Sequence, residues 1–118
     1  ELRRSSRTRT AIIAGDFNEP SHMDFLDDPD LRELPVSNAF KRDGFRDTYY
    51  SYINTKNTKK INMDMGYTWG VGGLYDNEPR QRIDFIYTRN VKVLSSKTYD
   101  TNPGFKTDHK MVITTVEM

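Results

Sequence analysis

Residues 11 to 22 read AIIAGDFNEPSH, a short apolar stretch that runs straight into Asp16, Asn18 and Glu19 with no polar transition. The continuous Ala-Ile-Ile-Ala predicts a strand over residues 11 to 15, closed by Gly15 and buried on both faces. A strand covered on both sides requires a layered fold. Polar side chains carried to the end of such a segment are costly unless something specific satisfies them, and a substrate or a metal can be that something.

The remaining pattern supplies the layers. Ser21 with Asp24 resembles a capping box opening a short helix through Leu26, and DDPDLRELP reads as a loop interrupted by prolines. Two further short helices are predicted at roughly 36 to 42 and 46 to 53, broken by Gly44, with Leu34, Val36, Ala39, Phe40, Phe45, Tyr49 and Tyr52 as their apolar faces. A polar stretch containing Lys56, Lys59 and Lys60 reads as a solvated loop, although these lysines could touch phosphates. GYTWG gives a brief extended piece; RIDFIYTR (82 to 89) and VKVLSSKTY (91 to 99) read as strands joined at Asn90, and KMVITTVE (110 to 117) as the last strand. Strand, helices and then several strands predict an α/β or α+β layered sheet.

Composition narrows the functional classes. The 118 residues are 35% hydrophobic and 30% charged, which suits one small folded unit or part of a larger one. A formal charge of +1 is far from the basic excess of a protein held to DNA by phosphate neutralisation, so nucleic acid is not indicated by charge. With no cysteine, disulfides, thiolate metal sites and cysteine nucleophiles are excluded. No apolar run approaches a membrane span, and ELRRSSRTRT lacks the apolar core of a secretory signal; neither feature assigns a compartment.

Three polar anomalies carry the chemistry. In extended backbone, Asp16 and Asn18 emerge on one side just past the carboxyl end of the first strand, where ligand sites gather in α/β folds. An Asx-type turn, in which both merely satisfy nearby backbone, explains the same pair. Asp84 sits mid-strand among apolar neighbours and needs a partner: either Arg82 on its own face, or a histidine whose tautomer and orientation it would fix. His109, with Asp108 beside it, lies at a loop-to-strand junction where both can turn toward one site, or can stand exposed and uninvolved. All three anomalies are compatible with an anionic phosphate and a hard cation.

AGDFN, RIDFI and TDHKMV, in that order and spacing, resemble the carboxyl-terminal half of the endonuclease/exonuclease/phosphatase superfamily, whose members share the deoxyribonuclease-I-like fold. DGFRDTYYSY resembles the helical region after the GDFN turn, and GYTWG the Thr-Trp stretch before the aspartate-bearing strand. The last motif usually reads Ser-Asp-His, and Thr107 keeps the hydroxyl. The resemblance implies that residues 1 to 118 form a single partial domain, half of a four-layer α/β/β/α sandwich with one mixed β-sheet and helices on its outer face. Family members are about twice this length, and their first half brings an asparagine and a metal-binding glutamate with no counterpart here.

The activity implied is Mg²⁺-assisted hydrolysis of a phosphate ester by in-line attack of water, with Mn²⁺ or Ca²⁺ as alternative cations. Asp16 would orient or deprotonate the water, and Asn18 would hold it or a phosphoryl oxygen; both are also candidate metal ligands, with Asp108. His109, oriented by Asp84, would donate to the non-bridging oxygen where charge grows. His22 and Trp69 are candidate substrate contacts, although His22 can be incidental and Trp69 can be core packing. Family substrates range over DNA, RNA ends, inositol phosphates and sphingolipids. A lone half would lack one wall of the cleft, be nearly inactive, and expose a sheet face for its missing amino-terminal half or a dimer mate to cover. A catalytically silent interaction or scaffold module that retains the fold is the alternative.

Overall fold

A computed structural model describes residues 9–21, 34–55, 66–69, 81–100 and 107–118. Along the chain these form β1 (Ala11–Asp16), α1 (Pro35–Arg42), β2 (Arg46–Asp47), α2 (Thr48–Thr55), β3 (Asp84–Arg89), β4 (Lys92–Tyr99) and β5 (Met111–Glu117). β1, β3, β4 and β5 lie within two residues of where the apolar patterning puts them, whereas β2 occupies Arg46 and Asp47, where the second of the two helices was expected to begin. The helix expected after Ser21 falls on residues outside those described.

The sheet architecture corrects the expectation of one mixed sheet in half of a four-layer sandwich. The described residues make a small, mostly β domain with two helices and two separate antiparallel sheets, one ordered β1-β3-β2 and the other β4-β5. The reason lies in β3. One of its edges pairs with β1 from Ala11↔Arg89 to Asp16↔Asp84, and the other meets β2 at Thr88 and Tyr87. A strand has two hydrogen-bonding edges, and β1 and β2 take one each on β3. Asn90, at φ 56°, turns the chain out of β3, and β4 pairs with β5 instead.

Burial of β1 is the second correction. Ile12 is 48% and Ile13 37% exposed, so neither face of β1, the edge strand of its sheet, is fully covered. The apolar core lies around β3, where Ile83, Phe85 and Tyr87 are buried. Phe40 of α1 stacks on Tyr87 at 4.4 Å between ring centroids, and Phe17 meets both edge-on at 5.3 and 5.4 Å. Such aromatic pairs add about 0.5–1.5 kcal/mol each beyond their area.

Local sequence explains both helices. Pro35 opens α1 at a position where a missing N–H costs nothing. The cap that Leu34 cannot supply comes from Glu19, whose Oε2 accepts the Ser37 N–H at 2.9 Å. At the other end Gly44 takes φ 82°, the Gly44 N–H reaches Lys41 O, and the Phe45 N–H reaches Phe40 O, with the rings of Phe40 and Phe45 5.5 Å apart. These are the bonds and the apolar contact of a Schellman terminus, so Gly44 breaks the helices as its conformational freedom predicts.

Asp47 organises α2. Its Oδ1 accepts the Tyr49 N–H at 3.1 Å, which caps the helix, and also a bond from Arg82 Nη1 at 2.9 Å. Arg82 Nη2 pairs with Asp47 Oδ2. The guanidinium is 2% exposed and lies between the Tyr49 and Phe85 rings, 5.0 and 4.7 Å from their centroids. On its far side α2 meets the second sheet through three hydroxyls. Thr48 Oγ1 is 2.8 Å from Thr114 Oγ1 and 3.2 Å from Ser96 Oγ, and those two are 2.9 Å apart.

Removing one member of a buried pair strands the other charge. Asp47→Ala is therefore expected to destabilise the fold by about 3–5 kcal/mol in urea denaturation. Adding Arg82→Met should recover part of that loss, because no charge is then buried alone.

Candidate functional site

The site begins with the register of β1 on β3. Asp16 is the last residue of β1 and Asp84 the first of β3, and the antiparallel ladder sets them directly opposite each other. Opposed residues project from the same face of a sheet. Two carboxylates 68 positions apart in the chain thus share one end of one sheet.

His109 meets them from the other sheet. Its Nδ1 lies 2.7 Å from Asp84 Oδ2, and its Nε2 lies 3.9 Å from Asp16 Oδ2 and 3.8 Å from Asp108 Oδ1. A carboxylate only accepts, so Nδ1 carries the proton of the first contact, and Nε2 faces the remaining acids. The ring is mostly buried, whereas Asp16 and Asp108 are each about half exposed. Asp84 therefore takes the histidine and not Arg82. The strand begins only at Asp84, so the alternation that would put Arg82 on its face does not extend back to it.

Asp16 and Asp108 are held alike. Asp16 Oδ1 accepts the Asn18 N–H at 2.8 Å, with Asn18 at φ 51°, and its other oxygen is the one nearer His109. Asp108 Oδ2 accepts the indole N–H of Trp69 at 3.1 Å, and again the other oxygen lies toward the imidazole. The Asx turn is thus present, and it orients Asp16 instead of consuming it. Trp69 is half-buried and acts on the site through its N–H. Thr107 Oγ1 accepts the His109 N–H at 3.1 Å, shaping the approach to β5.

The structure therefore brings Asp16, Asp84, Asp108, His109 and Trp69 together, with Asn18 in the adjoining turn. His22, Lys56, Lys59 and Lys60 lie outside the described residues. Two contributors escaped the sequence reading. Glu19 ties the turn after β1 to α1, and Thr68 bonds the start of β3 through its hydroxyl, at 3.0 Å from the Ile83 N–H and 3.1 Å from the Asp84 N–H. Neither stands in a pattern that marks a distant partner.

Asp16, Asp84 and His109 offer ligand atoms within 4.8 Å of one another. They do not read as three ligands of one ion, because the Asp84 oxygen and His109 Nδ1 are already bonded to each other. Asp16 keeps a half-exposed oxygen open to water, and so does Asp108, which lies outside that group of three. Hard oxygen ligands, few in number and open to water, fit Mg²⁺, which keeps several waters and takes one or two carboxylates. Three carboxylates gathered on one imidazole also leave a negative excess that a cation would relieve.

Burial opposes the charged imidazolium, but the hydrogen bond and charge of Asp84, with the charges of Asp108 and Asp16, outweigh it and hold the His109 pKa above its ordinary value. No family model, curated protein or solved structure matches the chain. No helix among the described residues is long and apolar enough to cross a membrane.

The raised pKa fixes a sign. Stability from the charged imidazolium is complete below the unfolded value of about 6.5 and is lost as pH rises through the higher folded value. In EDTA, the difference in thermal midpoint between the wild-type chain and His109→Gln should therefore shrink from about pH 6 to about pH 8.5. Asp84→Asn should lower the His109 titration midpoint followed by NMR.

Proposed function

We propose that this rim is part of the active site of a metal-dependent phosphoric ester hydrolase, in which water attacks a phosphorus in line with the leaving oxygen. The observation that carries the reading is His109 itself: Asp84 holds Nδ1, and Nε2 faces a half-open acidic rim. This is the arrangement needed to present one N–H to an anionic oxygen. The order of AGDFN, RIDFI and TDHKMV, with its resemblance to the endonuclease/exonuclease/phosphatase superfamily, supports the same reading from the sequence.

In this reading Asp16 orients the attacking water and takes its proton as the new P–O bond forms. The Asn18 amide, neutral beside the acid, holds that water or a phosphoryl oxygen without repelling it. His109 acts as the imidazolium: Nδ1–H is held by Asp84, which keeps the ring from turning, and Nε2–H donates to the non-bridging oxygen as its negative charge grows. The ester P–O bond breaks, and the leaving oxygen takes a proton from solvent. Asp16 and Asp108, with Asn18, would hold Mg²⁺, or Mn²⁺ or Ca²⁺ in its place. The bound ion would polarise the phosphoryl group and offset its charge.

The same resemblance puts a metal-binding glutamate outside these 118 residues, so the chain alone would turn over little. Ile12, Tyr99, Met111 and Ile113 are exposed, as expected if the complementary half or a dimer mate covers them.

In the protein that carries both walls, bis-p-nitrophenyl phosphate should be hydrolysed with Mg²⁺ and not in EDTA. His109→Ala should lower kcat by roughly 10²–10⁴, far more than the accompanying fall in thermal midpoint can account for at the assay temperature. A loss of stability that matches the loss of activity would remove the catalytic role. In the present chain, Mn²⁺ should broaden the amide resonances of Asp16, Asn18 and Asp108 before others, and Asp16→Asn should suppress the effect. An interaction module would show no such broadening.

A further inference from the structure

Asp84 lies in one sheet, where it opens β3, and His109 stands two residues before β5, a strand of the other. No ladder of hydrogen bonds common to both strands sets the 2.7 Å between carboxylate and imidazole. Something else must fix that separation, and the short segment from Gly66 to Trp69 lies between the two.

Within it Thr68 is 0% exposed. Its hydroxyl oxygen accepts two consecutive backbone N–H groups, those of Ile83 and Asp84, at 3.0 and 3.1 Å. Its own N–H donates to Gln81 O at 2.9 Å, and its carbonyl accepts the Lys110 N–H at 2.7 Å. One residue is thus bonded to the backbone of Asp84 on one side and to the residue after His109 on the other. Trp69 continues the stitch with isolated bridges to Gln81 and to His109.

We propose that Thr68 is the positioning residue of the Asp84–His109 pair, its hydroxyl fixing the start of β3 and its carbonyl fixing the approach to β5. The hydroxyl is the part that cannot be replaced by shape. A valine would fill the same volume and leave two buried amide donors without an acceptor, and a serine would keep the oxygen. The inference deepens the hydrolase reading and rests on it for its consequence in turnover. The pair itself can be observed directly, so a failure of hydrolysis and a failure of positioning are distinguishable.

The test is NMR on the full 118-residue chain in EDTA. Wild type should show a downfield, slowly exchanging His109 Nδ1–H resonance, with protected Ile83 and Asp84 amides. In Thr68→Val that resonance should broaden or vanish, and those two amides should exchange about 10-fold faster or more, while amides of α1 keep their rates. Thr68→Ser should restore both signals. A Thr68→Val chain that keeps the His109 resonance, or a Thr68→Ser chain that loses it equally, overturns the proposal. If Thr68→Val does not fold, wild type and Thr68→Ser decide. Protected Ile83 and Asp84 amides in both, with the His109 resonance retained, support it, and an Asp84 amide exchanging as fast as an exposed one overturns it.

Discussion

The buried pairing of Arg82 with Asp47 is the interaction on which the other features rest. Arg82 stands two residues before Asp84, and a guanidinium left without a partner in that position would compete for the nearest carboxylate. Asp47 engages both of its terminal nitrogens, and the rings of Tyr49 and Phe85 flank it. Bidentate geometry and aromatic packing are what make a desolvated arginine tolerable, since an isolated buried charge costs several kcal/mol. The same carboxylate caps α2, so one side chain seats the helix, neutralises the core cation and leaves Asp84 to hold the imidazole.

Distances rank the electrostatic contributions around His109. The contact with Asp84 is a short hydrogen bond to a mostly buried ring, whereas Asp16 and Asp108 approach Nε2 only to nearly 4 Å, and each is half in water. Partly exposed charges at that range are screened, and each contributes little by itself. Asp84 therefore sets the tautomer and most of the upward pressure on the pKa. The outer two acids keep the opposite ring edge negative and hydrated, and that edge is the one open to an incoming group. Their own orientation comes from neutral donors, the Asn18 N–H and the Trp69 indole, which fix a carboxylate without cancelling its charge.

Much of this was legible in the sequence because the anomalies were local. Aspartate inside RIDFIYT is explained by His109 across the site, whereas the polar pair at the end of Ala-Ile-Ile-Ala closes a local Asx turn that leaves Asp16 facing the imidazole. Gly44 was readable for the same reason, as a helix end that needs positive φ. Pairing between distant elements was not legible. Nothing in residues 82 to 84 says that the arginine turns toward Asp47 and the aspartate toward His109, because period-2 alternation assumes a strand that in fact starts at Asp84. The burial of β1 was misjudged on similar grounds: an apolar run indicates that a strand can be covered, and whether it is covered depends on which distant elements pack on its faces. Thr68 gave no signal at all, since a threonine in a short extended piece is unremarkable until its two amide donors are seen.

The division into two sheets follows from the same limits of local patterning. Residues 111 to 113 are Met, Val and Ile, so alternation alone allows either face of β5 to be the inner one. What decides is the position of Thr114. Its hydroxyl joins those of Thr48 and Ser96 beneath α2, which turns Val112, Thr114 and Val116 inward and leaves Met111 and Ile113 outward beside Tyr99 and Lys97. A hydroxyl trio is a weak source of burial energy, yet it favours a threonine at this position, since Ile113 in its place would leave Thr48 and Ser96 only each other. Register, once set there, carries back through Lys110 to His109. The strand that brings Thr114 to Thr48 is thus the one whose approach brings the imidazole to Asp84.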